Sequence, residues 1–173
     1  LFVFEVKDWV LDQIRNANPH EFVLEINGNV QARKNPLKQA HEYIGWLKDK
    51  IKADGKLVSP NPDHHGNPRI PINHGVVFPN INKFEYVQKN LGTIIPAEKI
   101  FFSDDLNPSS DICCDLSGSC FKRALSERFP PMFRFSASAK DLQHLKQLMF
   151  PEVRIELPAR AGQGGFSEQA ARL

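Results

Sequence analysis

Cysteine is scarce: Cys113, Cys114 and Cys120 are the three in 173 residues. An odd count without regular spacing excludes a disulfide framework of the small secreted kind. No fourth ligand follows to complete a zinc site. These cysteines therefore read as buried or loop thiols, and the expected compartment is a reducing cytoplasm. No apolar run reaches membrane-spanning length. Charge of one sign is missing as well, since the net charge is only +2. Residues 1–56 hold nine Lys/Arg against eight Asp/Glu, so bulk electrostatics does not select nucleic acid as partner. Lys48, Lys50, Lys52 and Lys56 crowd one stretch, but cations there also suit the end of a helix. Trp and Tyr number two each against 13 Phe. That bias reads as core rather than as a base-stacking platform. There is no internal repeat and no Walker-type phosphate loop.

What remains is an ordinary globular composition, long enough for a real core. Residues 1–7 are apolar, β-branched and aromatic and read as a strand. On it Phe2, Phe4 and Val6 share one face, and Val3, Glu5 and Lys7 share the other. Residues 22–26 and 30–33 read as two strands joined by the turn Asn27-Gly28-Asn29, with a partner near Gln13-Ile14-Arg15. Asn35 is a good N-cap, Pro36 suits the first helical position, and Gly55 suits the end of a helix running to about Ala53. Leu37, Ala40, Ile44, Leu47 and Ile51 form its core stripe, and Gln39 and Tyr43 share a neighbouring stripe.

Downstream, residues 56–71 read as a surface loop rich in Pro, Asn, Gly and His. Strands are expected at 74–79 and 99–102, helices at 83–90, 121–128 and 139–149, with Ser138 capping the last. Residues 103–119 read as loop, with Asp104-Asp105 as a solvated turn. Residues 158–173 read as a linker. The pattern predicts an α/β or α+β fold, a sheet with helices packed on it.

Chemistry concentrates on Glu5 and Lys7. Glu-x-Lys on a strand puts a carboxylate and an ammonium on one face about 7 Å apart, twice the strand rise. Phosphodiester hydrolysis can use that pair. A carboxylate helps hold Mg²⁺, which takes one or two protein carboxylates and fills the rest with water and phosphate. A lysine beside it offsets the developing negative charge. By itself, the same pattern is more often a surface ion pair on an edge strand, and Gln39 with Tyr43 more often an ordinary helix flank. Asp63-His64-His65 with His74 lacks zinc-ligand spacing and reads as loop histidine.

Taken together, Phe4-Glu5-Val6-Lys7-Asp8-Trp9, residues 35–40 and residues 75–81 resemble the NERD (nuclease-related) domains of the PD-(D/E)xK nuclease superfamily. Gln39-x-x-x-Tyr43 also resembles the helical motif of RecB-type nucleases. The similarity covers most of residues 1–157. Residues 150–155 resemble the segment joining such a domain to a following helicase in bacterial fusion proteins.

The resemblance implies a restriction-endonuclease-like mixed central sheet flanked by helices, with its first strands upstream of Leu1. It implies a nuclease domain at 1–157, a linker at 158–173 and a covalently linked helicase beyond. It makes Glu5 a ligand of Mg²⁺ (or Mn²⁺), with the Val6 carbonyl a possible second ligand. Lys7 becomes the catalytic lysine, and Gln39 and Tyr43 become contacts to DNA or supports of the site. The family's metal-binding Asp would lie upstream of Leu1; Asp8 and Asp12 are poor substitutes. As these 173 residues alone, the chain is expected to bind metal weakly. The other function carried forward is a non-catalytic DNA-docking domain that retains the fold.

Overall fold

The computed structural model describes residues 1–150, so the linker at 158–173 and all but the first residue of the 150–155 block lie outside the described residues. The chain is a mixed α/β protein with two three-stranded sheets. In order the elements are β1 (Phe2–Val6), β2 (Ile14–Ala17), β3 (Glu21–Ile26), β4 (Asn29–Lys34) and α1 (Pro36–Asp54). Then follow β5 (Asn73–Phe78), α2 (Lys83–Gln88), β6 (Ile100–Phe102), α3 (Ser119–Arg128) and α4 (Ala139–Met149). One sheet is parallel, in the order β1-β5-β6, and the other is the antiparallel meander β2-β3-β4.

Local chemistry explains the meander. Asn27 and Gly28 take φ of 52° and 78°, so both central turn residues are left-handed, as a two-residue hairpin matched to strand twist requires. The hairpin closes on the pair Ile26 and Asn29. Phe22 and Leu24 alternate inward and are fully buried.

The parallel sheet is covered on both faces, as parallel sheets usually are. On one face Val76, Phe78, Ile100 and Phe102 join Trp9, Phe22, Leu24 and Tyr86 in the largest apolar cluster. Under α1 on that side, Val3 packs with Leu47 and Ile51. On the opposite face Phe4, Val77 and Phe101 meet Ile112, Ala124 and Phe129. The Phe4 ring stands edge-on to Phe101 at 5.5 Å and to Phe129 at 5.4 Å, a favoured aromatic geometry. Gly75 is what lets these rings approach. A Cβ there would lie 2.7 Å from both the Lys99 carbonyl and the Phe4 ring, and 2.9 Å from Phe129.

Several expectations need correction. Asp105 is not a solvated turn residue. Its carboxylate takes both ends of the Arg128 guanidinium, at 2.5 and 2.8 Å, and accepts the Phe102 N–H at 2.9 Å. Arg128 lies in a helix 23 residues on, a distance no local pattern bridges. Nor are the cysteines three thiols. Cys114 and Cys120 form a disulfide, and Cys113 is the free, exposed one. The turn between them is bent by Gly118 at φ 73° and by Asp115, which accepts the Ser119 N–H at 2.9 Å. That turn chemistry brings together two residues whose spacing carries no signature. The 56–71 loop is only partly a surface loop: its ends, Leu57 and Ile70, are buried with Leu47 and Ile51. No helix among the described residues is long and apolar enough to cross a membrane.

α4 ends the described chain. Ser138 caps it reciprocally with Asp141. His144 Nε2 lies 2.6 Å from Asp54 Oδ2 at the C-terminal end of α1, and Arg69 pairs with Asp141.

Two glycines should respond oppositely to alanine. Gly75→Ala overpacks a closed interface and should lower urea-denaturation stability by about 1–3 kcal/mol. Gly45, exposed within α1 with nothing within 4 Å of a new Cβ, should gain up to about 1 kcal/mol as alanine. The Asp105–Arg128 pair makes a pH prediction. Burial pushes the Asp105 carboxyl up, but the hydrogen bonds from Arg128 and Phe102 and the charges of Arg128 and Lys83 outweigh it, leaving it below the usual value. Stability from a lowered carboxyl is complete above its unfolded value and is lost as pH falls through the folded one. Arg128→Ala should therefore cost about 2–4 kcal/mol at neutral pH, with the gap to the native protein closing below about pH 4.

Candidate functional site

Glu5 lies on β1, Lys7 just past its end, and Gln39 and Tyr43 on α1, and the contact between them is set by the start of α1. Asn35 is buried, and its side-chain oxygen accepts the Leu37 and Lys38 N–H groups at 2.9 and 3.4 Å. Its amide donates to the Asn18 carbonyl at 3.3 Å, and its backbone N–H to the His20 carbonyl at 2.9 Å. The cap thus ties the first turn of α1 to the β2–β3 connection. One turn on, the Gln39 N–H donates to the Asn35 carbonyl, fixing where the Gln39 side chain leaves the helix. Ala40 and Ile44, fully or nearly buried, hold the helix down. β1 runs beneath, bonded to β5 in parallel register with Glu5 opposite Val76.

These placements join the candidates into one polar chain. Lys7 Nζ lies 2.6 Å from Glu5 Oε1. The same ammonium donates to Gln39 Oε1 at 3.2 Å, and Gln39 Nε2 donates to the Tyr43 hydroxyl at 2.5 Å. The Glu5 side chain is 14% exposed and that of Lys7 21%, so the pair sits in a partly dehydrated notch yet reaches solvent. Lys7 also lies 5.7 Å from the centre of the Trp9 ring, within cation–π range. The two side chains projecting about 7 Å apart along the strand therefore converge into direct contact.

Trp9 is the positioning residue that sequence reasoning missed. It is 7% exposed and packs on Phe22 and Phe78, so it anchors the chain just past β1 to the main core. A signal existed: Lys7 and Trp9 are two apart, the spacing that puts strand residues on one face. Asn80 helps as well, its amide donating to the Asp8 carbonyl at 2.7 Å and bracing the end of β1 against the end of β5.

The other candidates stay apart. Asp8 and Asp12 are exposed, and among the described residues neither is bonded to Glu5. His64 and His65 lie on the exposed loop, while His74 is half-buried on β5 with its ring 5.2 Å from that of His41. Burial lowers the His74 pKa, and the neighbouring charges of His41, Lys99 and Lys48 push it the same way. No group of three or more His, Cys, Asp or Glu able to hold a metal occurs among the described residues. Glu5 with the Val6 carbonyl supplies one carboxylate and one neutral oxygen. That meets the lower limit for Mg²⁺, which leaves its other positions to water and phosphate, and falls short of a closed protein cage.

β1 is an edge: among the described residues it pairs only with β5. Its open side flanks the notch, and Tyr43 and the 64% exposed Trp46 lie tilted against one another on α1 with ring centres 5.4 Å apart. No family model, curated protein or solved structure matches the chain.

Asn35 should matter more than its surface neighbours. Asn35→Ala removes the cap and the bond to the part-buried Asn18 carbonyl, so a loss of about 1–2 kcal/mol is expected in urea denaturation. A change within about 0.3 kcal/mol, the Gly-for-cap range, would contradict the role given to the cap.

Proposed function

We propose that this chain is a metal-dependent DNA nuclease domain of the NERD type, with a restriction-endonuclease-like sheet. The carrying observation is the unbroken contact from Glu5 through Lys7 and Gln39 to Tyr43, at the solvent-reaching end of an edge strand. The residues named by the resemblance are the ones in contact, which a chance ion pair on β1 would not require of α1.

In this reading Glu5 and the Val6 carbonyl hold Mg²⁺ or Mn²⁺ together with water and a phosphate oxygen. A bound cation would neutralise charge on the phosphate and make water a better nucleophile. Lys7 then directs its ammonium at the phosphoryl oxygens, where charge grows. Gln39 holds that ammonium by its side-chain oxygen and passes the constraint to Tyr43, whose hydroxyl can meet the DNA backbone. The second carboxylate implied by the resemblance would arrive on a strand beside the open edge of β1. A helicase linked to the C-terminal side would supply single strands. The cytoplasmic placement rests on composition alone, and the Cys114–Cys120 bridge runs against it, because disulfides persist in oxidising compartments.

The single carboxylate at the site favours a second reading, a DNA-docking domain that retains the fold and does not cut. Cleavage of single- and double-stranded DNA in Mg²⁺ by the full-length protein separates the two, since these 173 residues alone are expected to be inactive. Glu5→Ala and Lys7→Ala should each slow cleavage by about 100-fold or more, with folding checked by circular dichroism. Cleavage that survives both substitutions sinks the assignment. Tight DNA binding in EDTA, with no cleavage in Mg²⁺, supports docking.

A further inference from the structure

A second concave surface lies away from the notch. It is a cleft of about 650 Å³, within the range of small-molecule sites. Three cations line it: Lys48 from α1, Arg69 from the segment before β5, and Arg134 from the segment before α4. No carboxylate is among its lining residues. Asp141 lies behind it, paired with Arg69, and fixes that guanidinium without cancelling the other two charges. Arg69 is only partly satisfied. Its Nε is the one buried side-chain polar atom without a hydrogen-bond partner among the described residues. Buried donors are almost always paired, so this unmet one is unusual.

The remaining wall is largely apolar, with Pro68, Ile70 and Ile72 beside Ser59 and His64. Phe133 is 45% exposed and Met132 85% exposed, large apolar side chains left in solvent at the rim of a charged cleft. Asn67 adds a side-chain amide that can both donate and accept. Each part of this set has a complement in one ligand class. Guanidinium forks match phosphate oxygens. An exposed phenyl ring and a thioether match the face of a nucleobase. An amide matches a base edge or a ribose hydroxyl.

The geometry points to this cleft as a binding site for a nucleoside phosphate, with phosphate on Arg69, Arg134 and Lys48 and the base on Phe133. The same chemistry is offered by a free mononucleotide and by one unit of a single-stranded nucleic acid. The site does not use Glu5, Lys7, Gln39 or Tyr43, so it stands or falls separately from the proposed cleavage.

The test is equilibrium binding to the full chain in EDTA, where no cleavage occurs. The probes are adenosine monophosphate by calorimetry and a fluorescent oligothymidylate by anisotropy, each with inorganic phosphate as competitor. Arg134→Ala should weaken binding of the occupying probe about tenfold, as loss of a charge-assisted contact does. Phe133→Ala should weaken it by roughly five- to tenfold through lost stacking. Lys89→Ala, at an exposed residue that does not line the cleft, should leave it unchanged. If the oligonucleotide occupies the cleft, Arg134→Ala also lowers the salt slope by about one. If the mononucleotide does, it binds tightly and the oligonucleotide gains nothing. The proposal is overturned if neither probe binds, if Arg134→Ala and Phe133→Ala both bind like the native protein, or if inorganic phosphate competes as well as the nucleotide.

Discussion

The rest of the structure hangs on burying a short parallel sheet on both faces. Parallel sheets are usually covered on both faces, and here every side chain of β5 and β6 is buried or half-buried, while the edge strand β1 leaves Phe2 and Val6 exposed at its ends. The two covers are of different kinds. On one side Leu47 and Ile51 of α1 pack with Val3, while Phe22 and Leu24 of the meander join Trp9 and Tyr86 against Val76 and Phe78. On the other, Phe129 reaches back from the end of α3 to fit between Phe4 and Phe101. Gly75 is the point where this second layer comes closest to the sheet. Fully burying each such side chain contributes roughly 1.5–3 kcal/mol, so the layers together outweigh any polar contact in the chain.

Against that background the placement of Glu5 and Lys7 is informative. Both lie on the face that α1 covers, where Val3 two residues earlier is packed as ordinary core. An ion pair in a partly dehydrated position is often no more stable than apolar residues of the same size. Packing alone therefore gives no reason to place a charged pair here, and Gln39 and Trp9 contribute contacts that hold the ammonium. A charge kept where apolar residues would serve stability equally well is what a binding or catalytic group requires.

Much of this was legible in the sequence wherever the determining chemistry is local. The hairpin followed from Asn27-Gly28, the limits of α1 from Asn35, Pro36 and Gly55, and its buried stripe from Ala40, Ile44, Leu47 and Ile51. β1 and β5 were visible as apolar runs, although their pairing and parallel sense were not. What escaped depends on residues far apart in the chain. Asp105 looked solvated because Arg128 is 23 residues away, and Cys114 and Cys120 looked unrelated because the turn between them is irregular. Of the site, the residue types and their faces could be read. That Lys7 touches Gln39, 32 residues on, could not, since it depends on how α1 crosses β1.

We propose that the Glu5–Lys7–Gln39–Tyr43 chain is a divalent-cation site facing phosphate. It is tested most directly by titrating the isotope-labelled protein with Mn²⁺ and following paramagnetic broadening of backbone amide signals. Val6, Lys7 and Gln39 should broaden first, Mg²⁺ should restore them, and Glu5→Gln should abolish the effect. Broadening centred on exposed carboxylates such as Asp12 or Glu85, or unchanged by Glu5→Gln, would contradict it.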